Sequence, residues 1–562
     1  MFRLIPFKLS PLWPRSVRST LHSGAVRRAC KNGVLAMVLT LLSVNGLVAQ
    51  AQDDGAIGRR VPGGTGALPA LGDNLELSAA AERRIGDRIA ASIYRDPDYV
   101  DDPMLGDYVQ SVWLPLMAAA RARGEINNEL DERFAWELFL LRDRSINAFA
   151  LPGGYMGVHL GLIGAVNSRD ELAAVLGHEL SHVTQRHIAR LMTQQSRQTP
   201  WLIGAMILAA LAVSKSPQAA SAAIAGGQAA AIQTQLNFSR DMEREADRVG
   251  FGVMTDAGFD SRGVSSMFEK LQQASRLNDN GSFPYLRSHP LNTQRIAEAQ
   301  ARVQLAAQNP ASTTVASDES AARANFLHAM MAARARVMAD LGVDALRAMV
   351  VDAQRTTGPL KAAVTTASLP DARAAGVLYS GALAAAKMRD FAVARTLAAK
   401  LVERAEGNPQ ALSALDLLSI ELDLMAGVTP ALTSRIDISK STRRATLLMQ
   451  ARALLAAGRA HEVSERLLTW VTAHPRDNAA WQLLAVAYGN QNQSVRAIRA
   501  DAEGHAAQLD FGGALDRLKA AQAMMRSSPG GADFMEGSII DARARQVELL
   551  VKDQALQDKL DK

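Results

Sequence analysis

Apolar residues recur at helical spacing through Leu172, Val175 and Leu176, and the Ser168-Arg169-Asp170-Glu171 stretch ahead of them has the form of a capping box. The pattern predicts a helix from Ser168 towards Gln195. A second helix is predicted over residues 238–247, with Glu243 and Asp247 one turn apart on one face. Asn147 to Tyr155 is a short apolar stretch closed by Pro152-Gly153-Gly154, which predicts a strand and a turn. After Asn309-Pro310-Ala311-Ser312-Thr313-Thr314, alanine-rich helical periodicity runs nearly to the end.

That last region also recurs. Asn408-Pro409 and His474-Pro475 each end a pair of helical stretches, and the two prolines stand 66 residues apart, close to two repeats of a tetratricopeptide array. Trp481, Leu484, Ala485 and Tyr488 follow the spacing of a tetratricopeptide first helix, and Leu378, Gly381, Ala382 and Ala385 with Phe391 and Ala394 follow it more loosely. The fold expected is mainly α, with a first folded unit at 76–305, a linker at 306–320 and an α-solenoid of tetratricopeptide-like helix pairs at 321–562. Such an array buries its faces by stacking and leaves a groove for protein partners.

Composition supports helices packed on helices, since aromatic residues make up only 5% of the 562. The first 51 residues stand apart, with seven cations, no acidic residue and an apolar run from Gly33 to Val48. Ala49-Gln50-Ala51 then has the small-x-small form of a signal-peptidase site, so residues 1–51 read as a signal peptide and 52–75, rich in Pro and Gly, as a flexible lead-in. Loss of those seven cations changes the formal charge from +6 to −1, which removes the whole-protein electrostatic case for nucleic-acid binding. Cys30, the only cysteine, leaves with the signal.

The chemistry centres on His178-Glu179-Leu180-Ser181-His182. Two histidines one helical turn apart can reach a single metal ion, and Glu179 beside them can hold a water and take its proton. The metzincin layout is excluded, because Gln185 and Ile188 stand where it needs glycine and histidine. His187, about 140° round the helix from His182, reads as a packing or hydrogen-bonding residue. Another zincin layout takes its third ligand from a later helix, a glutamate followed four residues on by an aspartate. Glu243 and Asp247 meet that rule, with Glu243 as ligand and Asp247 orienting a ligand histidine, while Glu245 points about 200° away from Glu243.

These residues, with Arg186-His187, Ser239-Arg240 and Glu245-Ala246-Asp247, resemble the HtpX and CAAX-prenyl-protease type of zinc endopeptidases. The resemblance implies a gluzincin-type fold holding one Zn2+ on His178, His182 and Glu243, with Glu179 as general base. It implies that the strand near Asn147–Tyr155 is an edge strand for extended substrate. It also implies that His289, in Ser288-His289-Pro290, either fills zinc's fourth position in a latent state or stabilises the oxyanion, and Arg295 fits the same pattern. Secreted relatives with a repeat domain imply a periplasmic site, the outer-membrane β-barrel assembly machinery as partner of the repeats, and unfolded or misassembled outer-membrane proteins as substrates. A chaperone or scaffold with little proteolysis is the alternative. The 13-residue apolar run 201–213 is too short to span a bilayer and is expected to be a buried helix, or one that rests on a membrane surface or covers the cleft, with peripheral membrane contact favoured by the resemblance.

Overall fold

In the computed structural model of the protein, residues 77–195, 239–276, 284–308, 318–339, 342–356, 371–429, 436–527 and 533–560 are described. The leader 1–51, the 52–75 segment, the 201–213 run and most of 306–320 lie outside them. The described residues belong to one unit, Asp73–Lys562.

Helix α1 (Ala79–Tyr94) starts on Ser78, whose hydroxyl accepts from Ala81 N. Strand β1 (Tyr99–Val100) leads into α2 (Pro103–Ala122), where the Asp102 carboxylate accepts from Leu105 N at 2.8 Å. Pro103 sits in the first turn, where a missing N–H costs nothing. After α3 (Asn128–Arg133) come β2 (Glu137–Leu141), β3 (Ala148–Leu151) and β4 (Tyr155–His159). The sheet order is β1-β2-β4-β3, with β2 parallel to β4 and the other two pairs antiparallel, so β3 is an edge. The β3–β4 turn places Gly153 and Gly154 at φ 72° and 83°, left-handed conformations that favour glycine. Space demands it too: a Cβ on Gly153 would lie 2.7 Å from Arg83 Cα, and one on Gly86 2.1 Å from Pro152 O, so α1 is seated directly on the turn.

The next helices are α4 (Leu160–Ala165), α5 (Arg169–Thr184), α6 (His187–Gln195), α7 (Arg240–Asp256), α8 (Arg262–Arg276), α9 (Tyr285–Ser288) and α10 (Thr293–Gln308). Ser168 caps α5 by accepting from Glu171 N at 3.1 Å. The Glu171 carboxylate reaches back past the cap to Asn167 N at 2.7 Å and is paired with Lys270. α5 packs against α2, α7, α8 and β3, which explains why both its apolar and its functional faces are buried. It does not run on to Gln195 as the periodicity predicts. The helix stops at Thr184 because Arg186 adopts φ 53°, held there by its guanidinium on Glu82 and the Leu77 carbonyl, and a new helix begins at His187.

The second half is helical throughout: α11 (Asp318–Met338), α12 (Val343–Arg355), α13 (Ala372–Lys387), α14 (Phe391–Arg404), α15 (Pro409–Met425), α16 (Arg444–Ala456), α17 (Ala460–Ala473), α18 (Asn478–Asn490), α19 (Ser494–Ala507), α20 (Phe511–Ser527) and α21 (Phe534–Leu560). Successive helices pack on one another as in a helical repeat region, and Asp371, Asp390, Asn408 and Asp477 cap the starts of α13, α14, α15 and α18. Small residues allow close approach; a Cβ on Gly381 would fall 2.2 Å from that of Ala353. Trp481, Leu484 and Tyr488 are buried between helices. The mainly helical fold with a small edge-strand sheet is thus the one the sequence predicts. Among the described residues no helix is long and apolar enough to cross a membrane.

α11 lies on α4, α2 and α13, and one hydrophobic core runs from Ala79 to Ala507. At its centre Arg334 of α11 is buried against Asp102, the α2 cap, and Glu421 of α15. His328 on the same helix spans Tyr108 of α2 (Nδ1 to Oη, 2.6 Å) and the Val166 carbonyl just before α5 (Nε2 to O, 2.9 Å). α5 is therefore held against both β3 and α11, and the Arg186 turn that follows it is tied to Glu82 of α1.

Candidate metal centre

α5 and α7 cross where each has a glycine. A Cβ on Gly250 would lie 2.9 Å from Gly177 O and 3.0 Å from His178 N, so only bare backbone permits this approach. One and two turns before Gly250, Ala246 and Glu243 are buried against α5, and the crossing sets the Glu243 carboxylate 3.5 Å from both His178 Nε2 and His182 Nε2. The two Nε2 atoms are 3.0 Å apart. His289, at the end of α9, brings Nδ1 to 3.3 Å from His178 Nε2 and 3.0 Å from Glu243 Oε1. Its ring is stacked on Tyr285, centroids 4.6 Å apart, a neighbour the sequence offered no sign of because a tyrosine four residues before a histidine in a loop has no motif.

All four side chains are buried, and one potential ligand atom from each lies within 4.8 Å of the others. Buried imidazole nitrogens gathered around a carboxylate are costly unless a cation satisfies them, and this N/O donor set fits a divalent metal. The other sides of these residues are also held. Asp247 Oδ1 is 3.0 Å from His178 Nδ1, and Arg295 binds the Asp247 carboxylate in a fork at 2.7 and 2.8 Å. Arg295 Nη1 also lies 2.7 Å from Glu243 Oε2. Although burial favours its neutral form, the Glu243 carboxyl is held far below the usual range by His289 and His178. Burial opposes a charge on His178, yet Asp247 and Glu243 raise its pKa to about 10. Burial, then the neighbouring His178, push His182 well down.

Glu179 faces the sheet. Its Oε2 accepts from Ala150 N at 3.1 Å, whereas Oε1 is buried without a hydrogen-bond partner and lies 3.4 Å from His289 Nε2. Burial pushes this carboxyl above its ordinary pKa, in part against His289 and His178. The contact with Ala150 identifies the free side of β3. His159 N donates to Asn147 O, so Asn147, Phe149 and Leu151 turn their backbone groups to β4, and by alternation Ala148 and Ala150 turn theirs outward. A buried carboxylate thus meets the open edge of the sheet within reach of the ligand cluster.

His187 and Glu245 lie beside His182. His187 Nδ1 is 2.9 Å from His182 Nδ1, and its Nε2 is 3.0 Å from Glu245 Oε2, which Arg190 also contacts. The sequence marks His187 as a hydrogen-bonding residue and turns Glu245 away from Glu243, but not that the two meet. The kink at Arg186 brings them together, and a left-handed arginine leaves no sequence signal.

Residues 107–303 match the model of peptidase family M48. A Vibrio cholerae protein provisionally named beta-barrel assembly-enhancing protease is 36% identical over 217 residues, which cover 39% of this chain and 43% of that one. The beta-barrel assembly-enhancing protease of Escherichia coli K12 is 28% identical over 524 residues, 92% of this chain and 95% of its own length. The mitochondrial metalloendopeptidase OMA1 of Arabidopsis thaliana is 32% identical over 164 residues, 29% of this chain and 31% of that one.

Proposed function

We propose that this chain, a metalloendopeptidase whose residues 107–303 form a peptidase family M48 domain, is a zinc-dependent endopeptidase of outer-membrane β-barrel assembly. The observation that carries the reading is the buried His178–His182–Glu243 set with Glu179 bridging it to the open edge of β3. His178, His182 and Glu243 would hold the zinc, whose Lewis acidity polarises the scissile carbonyl and eases loss of a proton from water. Asp247, locked by Arg295, orients His178. With the Ala150 N–H held by Glu179, the outward N–H of Ala148 and the outward C=O groups of Ala148 and Ala150 align an extended peptide antiparallel to β3, so its carbonyl is presented beside Glu179. Oε1 of Glu179 takes the proton from water and returns it to the leaving amine, and burial, by raising this carboxyl's pKa, suits it to both steps.

His289 stands among these residues and against Glu179, and would close the site in a resting state, swinging off for substrate to enter or to stabilise the oxyanion. Substrates are unfolded or misassembled outer-membrane proteins in the periplasm, and the helical repeats, of tetratricopeptide type, dock on the assembly machinery. Support for this comes from the relatives' printed names and from the length over which the Escherichia coli protein aligns. A chaperone without proteolysis has no use for a buried carboxylate at Glu179 set between the edge strand and His289. The test is purified protein assayed for zinc and for cleavage of an unfolded protein, with Glu179→Gln beside it. Retained zinc with cleavage reduced at least about a hundredfold supports the reading, since a general base contributes ~10²–10⁴. Unchanged turnover in Glu179→Gln would sink it.

A further inference from the structure

The two candidate ligand histidines are supported differently. His178 leans directly on Asp247, which Arg295 grips. At His182 a second imidazole meets Nδ1, and that ring in turn meets a carboxylate. Resting on the zinc reading above, we infer that His187, backed by Glu245, is a positioning residue that fixes the tautomer and ring orientation of His182.

The proton count permits one arrangement. If His182 offers the lone pair of Nε2 to the metal, its Nδ1 carries the hydrogen. That N–H donates to His187 Nδ1 across 2.9 Å, so His187 Nδ1 is an acceptor and Nε2 holds its hydrogen. The Nε2–H then donates to Glu245 Oε2 across 3.0 Å, and Arg190 Nη1, 2.8 Å from the same oxygen, keeps that carboxylate ionised and in place. The Glu245 carboxyl, though raised by burial, ends below its usual pKa because Arg190 and His187 outweigh that effect. The His187 side chain is fully buried, at 0% exposure, and its ring meets that of His182 edge-on with centroids 4.9 Å apart, so the interaction cannot be replaced by solvent. A carboxylate–imidazole–imidazole chain thus does for His182 what Asp247 does alone for His178, across a longer reach that the break at Arg186 makes possible.

The experiment measures the dissociation constant for Zn2+ by competition with a chromophoric chelator, and the visible spectrum of the Co2+-loaded protein. It compares the full chain with His182→Ala, His187→Leu, His187→Gln and Glu245→Ala, with melting of each metal-free protein as the fold control. His187→Leu and Glu245→Ala are expected to weaken binding ~10–100-fold and to shift the Co2+ bands, with metal-free melting unchanged. His187→Gln, whose amide oxygen can still accept from His182 Nδ1–H, should stay within about threefold of the parent and restore the spectrum. Binding by His187→Leu equal to the parent overturns the inference, and so does a loss in His187→Gln as large as in His187→Leu, because packing alone would then explain both. Should His187→Leu fail to fold, Glu245→Ala against His187→Gln decides on the same criteria. A parent that takes up no metal, or a His182→Ala protein that binds as well as the parent, would instead bring down the zinc reading itself, and with it the inference.

Discussion

His289 is the residue whose position says most about control. Its Nδ1 lies among the atoms of His178 and Glu243, its Nε2 faces Oε1 of Glu179, and Tyr285 stacks on its ring. On the proposed mechanism, a side chain placed against both the His178–Glu243 cluster and Glu179 would block the metal and the proton carrier together. Replacing it with alanine leaves three donors in place, so zinc content should hold while self-cleavage, followed on a denaturing gel, rises. A fall in cleavage with zinc retained would reassign His289 to stabilising the substrate oxyanion. Glu179 offers the complementary case, because its removal should silence the protein while His289 and the ligands stay as they are.

At the scale of elements, the site depends on how closely α5 and α7 approach. Gly177 and Gly250 face each other across the crossing, and a methyl group on Gly250 would press on Gly177 O and His178 N, both of them backbone atoms that cannot rotate away. Gly250→Ala must push α7 outward and carry Glu243 with it. The expected cost is ~1–3 kcal/mol of stability, as for other overpacked interiors, together with a drop in bound zinc. Gly177→Ala, whose added carbon would stand 3.2 Å from Gly250 O, should follow in the same direction and less far. Thermal melting with metal analysis checks both, and a Gly250→Ala protein with full zinc and unchanged melting would show that the crossing does not set the site.

Across the whole molecule the helical half braces the catalytic half through buried polar groups. Arg334 satisfies Asp102 and Glu421 together, and Asp102 is at the same time the cap of α2. Arg334→Met leaves a buried carboxylate without its partner, and the expected loss, read from denaturant unfolding, is ~3–5 kcal/mol. His328 adds a dependence on pH. Burial, only partly offset by the Val166 carbonyl, lowers its pKa to about 4 from an ordinary 6.5. As pH falls below 6.5 the unfolded chain takes up the proton first, so stability drops from about pH 6.5 down to pH 4 and levels off below that, by ~3 kcal/mol in all for this one group. In His328→Gln that part of the slope should vanish, and equal slopes for variant and parent between those limits would contradict it. A chain truncated after Asn309 would expose Phe326-facing and Met330-facing core, so the docking role of the repeats is better probed by surface substitution than by deletion.

What was legible in the sequence was whatever depends on local spacing. His178, Glu179 and His182 at one-turn intervals, Glu243 and Asp247 four apart, and the alanine-rich periodicity of the second half follow from 3.6 residues per turn and need no tertiary information. The strand ended by Pro152-Gly153-Gly154 was legible for the same reason, since only glycine takes left-handed turns at no cost. What lay beyond reach depends on partners distant in the chain. Arg186 turns left-handed because Glu82 and the Leu77 carbonyl, more than a hundred residues earlier, hold its side chain, and that turn alone brings His187 onto His182. Ala150 became the contact of Glu179 through the strand order, and Arg334 found Asp102 across 232 residues. A sequence states which groups a helix can present on one face; which groups meet them is decided when separate elements pack and every buried charge must find a partner.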